Sequence, residues 1–217
     1  MLKKIYYKLF KSKDRYNKFK LDQTIIKQQN LFEEKFKNKL FDISNSIHNK
    51  KTLNFLHSGH CGDLIYSLAL IKELSKSHQC NLFIGVGKKI EGAYFKHPAK
   101  GVYIDNRIAK QILPLLKFQS FLNEVKIHSE ENIDINLDLF RDLPISLNFN
   151  SCRWYFHLTG VQVDLSAPYL NSTEHKNIKD KIVILRTFRY RNHFINYKFL
   201  NKIDDDIIFI GLKEEFE

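Results

Sequence analysis

The stretch from Leu53 to Ile71 constrains the fold most, because it predicts a strand, a glycine-containing loop and a helix in direct succession. The run Thr52–His57 is short and apolar, which is typical of a buried strand. Residues 58–62 contain Gly59 and Gly62, which allow positive φ or a close approach of the backbone to a ligand. Apolar residues then recur at helical spacing at Leu64, Ile65, Leu68, Ile71 and Leu74.

A loop of this kind directs backbone N–H groups and the positive end of a helix dipole to one point. We therefore expect an anion or polar-ligand site here, at the carboxyl edge of a parallel sheet. Asp63 precedes the apolar face and is the predicted N-cap. An ordinary strand–helix turn capped by Asp63 explains the pattern equally well. The spacing Gly59-x-x-Gly62-Asp63 matches neither a Walker A loop nor the complete dinucleotide-binding fingerprint.

The rest of the chain predicts an α/β protein with two Rossmann-like parts. Cys80–Val86 is a second strand, parallel to the first through a right-handed crossover. Further predicted elements are a helix at 108–122 with a candidate break at Pro114, a strand at 124–128, a strand or extended chain at 133–140 and a helix at 152–158. Strands at 181–185 and 206–211 follow, with a short helix at 197–203 between them. A polar stretch at 171–180 indicates a domain boundary. We predict an arm (1–51), a first domain (52–175) and an incomplete second domain (176–217).

Positive charge is concentrated at the N-terminus. Residues 1–51 hold fourteen Lys and Arg against five Asp and Glu, a net charge of +9, whereas residues 52–217 hold twenty-one against nineteen, a net charge of +2. A nearly neutral body argues against a nucleic-acid partner. The arm itself predicts helices, including an apolar stripe at Phe32, Phe36, Leu40, Ile43 and Ile47.

The first 20 residues allow two interpretations. Leu2, Ile5 and Leu9 lie among lysines, and such a basic amphipathic helix is able to contact an anionic membrane peripherally. A solvated helical arm packed on the body is the alternative. No apolar run is long enough to span a bilayer, and no secretory signal is evident. The three dispersed cysteines favour a reducing, cytoplasmic compartment, and Cys61, at the predicted helix start, is either a low-pKa thiol or a plain small loop residue.

Two groups of residues offer chemistry. Around Asp63, the loop residues His57, Ser58, Gly59, His60 and Gly62 form the first candidate site, in which the carboxylate is a candidate general base. No third ligand accompanies His57 and His60, so we expect no metal. The second candidate site follows the strand at 181–185 and comprises Arg186, Thr187, Arg189, Arg191 and Asn192. Guanidinium groups bind diphosphate well, although a solvated basic loop is the alternative. The run Asp204–Asp206 is more typical of a polar turn than of a metal site.

Together these residues resemble the GT-B glycosyltransferases of the heptosyltransferase type, such as the ADP-heptose:lipopolysaccharide heptosyltransferases. The resemblance rests on residues 62–68, Gly-Asp-Leu-Ile-Tyr-Ser-Leu, and on a second strand–basic loop–strand unit that ends at Ile208-Phe-Ile-Gly211. It covers about residues 52–217. Ala69 replaces the proline of the family pattern, and Asn196-Tyr-Lys198 stands where the family has Lys-x-Trp.

The resemblance implies inverting, metal-independent sugar transfer from a nucleotide-sugar to a cell-surface glycan or lipopolysaccharide. Asp63 would be the base for the acceptor hydroxyl, the loop around it would face the glycan or glycolipid acceptor, and the arginine cluster would hold the donor diphosphate. No cofactor is implied beyond the nucleotide-sugar substrate.

Length raises an alternative. The chain supplies only the beginning of the second Rossmann domain, so we expect either a fragment of a longer enzyme or a shortened relative. The competing hypothesis is a non-catalytic sugar- or nucleotide-binding remnant that acts as a subunit.

Overall fold

A computed structural model describes residues 2–90, 101–143, 146–173, 178–185, 194–203, 206–211 and 213. The chain divides into two compact units, Met1–Asn171 and Ser172–Glu217. The division falls four residues before the boundary that we predicted after residue 175. The first unit includes the N-terminal helices together with the sheet that carries Asp63.

Three helices open the chain: α1 (Leu2–Phe10), α2 (Lys13–Lys35) and α3 (Lys37–Asn49). The predicted apolar stripe is interrupted at Phe36, where φ is −118° and the helix restarts. Phe36 and Ile43 are buried, so α3 is joined to the body of the unit. By contrast, α1 and α2 contain no buried residue. Leu31, near the end of α2, is partly buried against the core, whereas no residue described in α1 contacts it. The packed-arm interpretation therefore describes α3 and the end of α2 but not α1.

A four-stranded parallel sheet lies at the centre of the first unit and confirms the α/β prediction. Its strands are β1 (Thr52–His57), β2 (Gln79–Ile84), β3 (Glu124–Ile127) and β4 (Ile135–Asn136), in the order β3-β2-β1-β4. His57 pairs with Ile84, and Leu56 pairs with Asn136. The carboxyl ends of β1, β2 and β4 therefore meet at one edge of the sheet.

The helix α4 (Cys61–Leu74) follows β1 and packs into the core. Four of its five predicted apolar residues are buried, namely Leu64, Leu68, Ile71 and Leu74, while Ile65 is partly buried against them. Leu53 and Phe55 of β1 are fully buried with them. Burial of this continuous apolar set fixes the direction in which α4 leaves the sheet.

Three predicted elements differ in extent or type. Pro114 does not break α5 (Asn106–Lys117), which contains it and ends five residues before the predicted limit. The alternating run 133–140 forms only two residues of strand, and a 3₁₀ helix, Leu137–Asp142, follows. The predicted helix at 152–158 is a 3₁₀ turn, Ser151–Tyr155, continued by α6 (Phe156–Thr159).

The second unit contains the parallel strands β5 (Ile182–Leu185) and β6 (Ile207–Ile210), with a 3₁₀ helix, Tyr197–Lys202, between them. This order matches the predicted strand–helix–strand opening. None of the residues that the structure describes in this unit is buried. Across both units, the described helices lack the combination of length and hydrophobicity that crossing a bilayer requires.

Candidate functional site

Asp63 lies in the first turn of α4, at the edge where the parallel strands end. The N-cap of α4 is His60, so the prediction that Asp63 is the N-cap was wrong by one turn. The backbone is helical from Cys61 onward, so Asp63 is the third residue of the helix. A carboxylate at this position still interacts favourably with the helix dipole. The side chain of Asp63 is 16% exposed, so it is partly accessible to solvent.

Arg141 joins Asp63 to a second carboxylate. Its Nη2 binds the Oδ2 of Asp63, and its Nη1 lies 3.3 Å from the Oδ1 of Asp138. Arg141 comes from the 3₁₀ helix after β4, whereas Asp63 follows β1. One guanidinium thus links the ends of two neighbouring strands, using the fork geometry that arginine alone provides.

Two aromatic rings hold Arg141 in this position. Its guanidinium carbon lies 4.6 Å from the ring centroid of Tyr103 and 4.4 Å from that of Phe140. Both distances are within cation–π range. His60 also packs against Tyr103, with 4.9 Å between the centroids of the two rings. Arg141 is therefore fixed by two carboxylates and two rings.

Asp138 is a buried carboxylate that organises the loop after β1. It accepts a hydrogen bond from the Ser58 backbone N–H at 2.9 Å and another from the Lys88 ammonium at 2.9 Å. Burial opposes its ionisation, whereas the hydrogen bond from the Ser58 N–H and the charge of Lys88 favour the carboxylate, and the pKa of Asp138 lies below its usual value. The carboxylate of Asp138 thus takes the place at this loop that an anionic ligand would otherwise occupy.

His57 is fully buried and bonded at both ring nitrogens. Its Nδ1 accepts from the Gly59 N–H at 2.9 Å, and its Nε2 lies 2.8 Å from the Tyr155 hydroxyl. The Tyr155 hydroxyl in turn donates to the Asp63 carbonyl at 2.7 Å. Because Nδ1 is an acceptor and the tyrosine proton is used on Asp63, the ring proton must be on Nε2. Burial lowers the pKa of His57 to about 3, so the ring is neutral at physiological pH.

The loop glycines have different roles from those expected. Neither Gly59 nor Gly62 has positive φ. A Cβ on Gly59 would lie 2.1 Å from the Nη2 of Arg141 and 2.6 Å from the Cε1 of His57. At Gly62 the nearest atom would be 3.8 Å away, on Tyr66. Gly59 is therefore required by the close approach of side chains, and Gly62 is not.

The loop residues fall into an inner and an outer set. His57, Ser58 and Gly59 are buried, whereas His60 and Cys61 are half-buried and Gly62 is exposed. Only the outer set is placed to meet a molecule that approaches Asp63. Burial raises the pKa of the Cys61 thiol, and the charge of Asp63 acts in the same direction, so the low-pKa alternative for Cys61 was wrong.

The predicted donor-phosphate residues, Arg186, Thr187, Arg189, Arg191 and Asn192, lie outside the described residues, as do Asp204 and Asp205. Their predicted roles stay predictions. Of the two candidate sites, the one around Asp63 is thus the one that the described residues contain.

Sequence reasoning missed four residues that form hydrogen bonds in this site, Lys88, Asp138, Arg141 and Tyr155, as well as the two rings that hold Arg141. The first three follow β2 or β4, and polar residues directly after parallel strands meet at one edge of the sheet. That rule would have found Lys88, Asp138 and Arg141. Tyr155 comes from a distant 3₁₀ turn, and no local pattern indicated it.

Comparisons with protein-family models, with curated proteins and with solved structures found no match to this chain. The family resemblance therefore depends on the motif residues alone.

Proposed function

We propose that the protein is a glycosyltransferase of the GT-B type that moves a sugar from a nucleotide-sugar to a cell-surface glycan or lipopolysaccharide acceptor. The observation that supports this most is the setting of Asp63. A half-buried carboxylate stands at the carboxyl edge of a parallel sheet, where open α/β folds bind ligands, and Arg141 fixes its orientation.

In the proposed reaction Asp63 acts as the general base. Its carboxylate accepts the proton of the acceptor hydroxyl while that oxygen forms a bond to the anomeric carbon of the donor sugar. The bond from the same carbon to the diphosphate oxygen breaks, and the nucleoside diphosphate leaves with the electron pair. Attack from the side opposite the leaving group inverts the anomeric centre. Because Oδ2 is bound to Arg141, we assign the proton transfer to Oδ1.

Arg141 contributes orientation in this proposal. A base must meet the acceptor hydroxyl within hydrogen-bond distance, and a fixed carboxylate achieves this without rotating in each cycle. His60 and Gly62 would line the approach of the acceptor, because they are the outer residues of the loop. His57, Ser58 and Gly59 would support that surface from inside.

The proposal assigns the donor to the second unit. Arg186, Arg189 and Arg191, with Thr187 and Asn192, would bind the diphosphate without a metal ion, since guanidinium groups neutralise a leaving diphosphate directly. We also propose a cytoplasmic location at the inner face of the membrane. The free thiols of Cys61, Cys80 and Cys152 are compatible with a reducing compartment.

A second candidate function has its own support. In the second unit most apolar side chains of the two strands are exposed, for example Leu185 of β5 at 73% and Ile210 of β6 at 46%. Exposed apolar patches often mark interaction surfaces. This favours a non-catalytic subunit that binds a sugar or nucleotide and docks on a partner through these strands.

Product analysis separates the two candidates. The full chain is incubated with ADP-, GDP-, UDP- and dTDP-linked sugars and a membrane glycolipid extract, and release of nucleoside diphosphate is measured with and without acceptor. The glycosyltransferase proposal predicts release that depends on the acceptor for at least one donor. Binding of a donor in calorimetry without release supports the subunit instead. If no donor binds and no nucleoside diphosphate is released, both candidate functions are contradicted.

A further inference from the structure

The first helix turns its apolar face to solvent. In α1 the residues Leu2, Ile5, Tyr6, Leu9 and Phe10 follow the spacing of one helical face. Their exposed fractions are 84%, 48%, 48%, 67% and 71%, respectively. An apolar face normally packs against the protein, and here it does not.

The opposite side of α1 makes the contact with α2. Tyr7 is the least exposed of the described residues in α1, and its ring stacks on Phe19 of α2 with 4.5 Å between centroids. This stacking leaves the face that contains Leu9 directed away from α2.

Lysines border the exposed face. Lys3 and Lys8 lie on α1 at the two edges of this face, Lys4 lies on the side toward α2, and Lys11 and Lys13 follow the helix directly. The ammonium of Lys11 is 5.4 Å from the ring centroid of Tyr6, so positive charge reaches the edge of the apolar face itself. None of the acidic residues of the chain lies within α1.

We propose that α1 lies on an anionic membrane surface, with Leu2, Ile5, Leu9 and Phe10 inserted at the level of the headgroups and the lysines in contact with phospholipid phosphates. Amphipathic helices with lysines beside an apolar face bind in this way, through apolar burial and attraction to anionic lipid together. The proposal is independent of glycosyl transfer, and its test uses no nucleotide-sugar.

Lipid fits this face better than the other candidate partners. Nucleic-acid binding uses the positive charges but leaves four exposed apolar side chains unexplained. Pairing with a second copy would need a longer seam, since stable coiled coils extend over at least three heptads and α1 has nine residues. The nearly neutral body also confines the attraction to the N-terminal helices.

Vesicle sedimentation of the full chain tests the proposal. Vesicles contain about 30 mol % phosphatidylglycerol in phosphatidylcholine, and pure phosphatidylcholine vesicles serve for comparison. We expect binding to the anionic vesicles that weakens at high salt, because the lysine contacts are screened. The double variant Lys3→Gln/Lys8→Gln should lower the partition coefficient roughly 25-fold, about fivefold for each lysine. Leu9→Gln should lower it about tenfold or more.

Matched variants distinguish this helix from general charge and hydrophobicity. Lys110→Gln/Lys117→Gln removes the same charge from exposed positions of α5. Leu21→Gln removes an exposed leucine from α2, two residues from Phe19 and hence on the side away from α1. Both should bind like the wild type. The α1 variants should retain the wild-type circular dichroism spectrum and unfolding midpoint, because α1 has no buried residue.

Three results would overturn the proposal. The first is equal binding of the wild type and Leu9→Gln to anionic vesicles. The second is tight binding of a DNA duplex that the lysine variant loses and Leu9→Gln keeps, which would identify a nucleic-acid surface. The third is a dimer in sedimentation equilibrium without lipid that Leu9→Gln abolishes, which would identify a second copy as the partner.

Discussion

The Nε2 of His57 and the hydroxyl oxygen of Tyr155 lie 2.8 Å apart, although 98 residues separate them in the chain. This bond continues from Tyr155 to the Asp63 carbonyl and so connects the end of β1, a 3₁₀ turn and the start of α4. The hydrogen bonds of this series all run in the same direction, from His57 to Tyr155 and from Tyr155 to Asp63, and this arrangement requires a neutral histidine. The position of Asp63 therefore depends on a hydrogen-bond network in which the His57 and Tyr155 side chains are both fully buried.

Removal of the Tyr155 hydroxyl tests this network. In Tyr155→Phe the buried Nε2–H of His57 loses its acceptor, and the Asp63 carbonyl loses the hydrogen bond from the Tyr155 hydroxyl. An unsatisfied buried polar group costs about 1–3 kcal/mol, so we expect the free energy of unfolding to fall by about that amount. Urea denaturation measures it. The control is Tyr66→Phe on the exposed side of α4, which should change stability by less than about 0.5 kcal/mol. Equal stability of the two variants would contradict the network.

The neutral state of His57 gives stability a specific pH dependence. The folded pKa of His57 is about 3 and its unfolded value is near 6.5, so below pH 6.5 the unfolded chain takes up a proton that the folded protein does not. The contribution of the neutral His57 ring to stability is fully present above pH 6.5 and is lost as the pH falls toward 3. Between pH 8 and pH 5 this one group should remove about 2 kcal/mol.

Comparison with His57→Gln isolates this effect. Glutamine cannot titrate, so the variant should lose about 2 kcal/mol less than the wild type over the same pH range, whatever its absolute stability. Chemical denaturation at pH 8, 6.5 and 5 provides the values. Parallel pH profiles for the two proteins would mean that His57 is not held neutral.

The two loop glycines should respond oppositely to alanine. In Gly59→Ala the new Cβ overlaps Arg141 and His57, so Arg141 must leave Asp63 or the loop must shift. We expect a loss of about 1–3 kcal/mol, as for other overpacked sites. In Gly62→Ala the Cβ has ordinary space within α4, and the higher helix propensity of alanine should stabilise by up to about 1 kcal/mol. Thermal unfolding of both variants decides, and a Gly59→Ala protein as stable as Gly62→Ala would contradict the described loop.

Local sequence patterns predicted the elements that local forces determine. The strand Thr52–His57 has the predicted limits, and the apolar residues of α4 are buried at the predicted spacing. Both depend on hydrophobic periodicity, which is visible within one element. The parallel pairing of β1 and β2 followed from the helix between them.

The elements that the sequence did not predict are those whose structure depends on tertiary contacts. The alternating run at 133–140 suggested a strand, but Asp138 is drawn inward by the Ser58 N–H and Lys88, and the Asn136 side chain accepts from the Asp138 N–H. These bonds favour a 3₁₀ turn over continued pairing with β1. They also bring Arg141 to Asp63, which is why the candidate site contains residues that no single segment indicates.

The claim that Asp63 is the base of a sugar transfer is tested most directly by the initial rate of transfer in Asp63→Asn. Asparagine keeps the shape but cannot accept the proton, so we expect the rate to fall about 10²- to 10⁴-fold while donor affinity stays unchanged. Glu73→Gln, at the other end of α4 and paired with Lys76, is the matched control and should retain the wild-type rate. A transfer rate for Asp63→Asn within about threefold of the wild type would contradict the assignment.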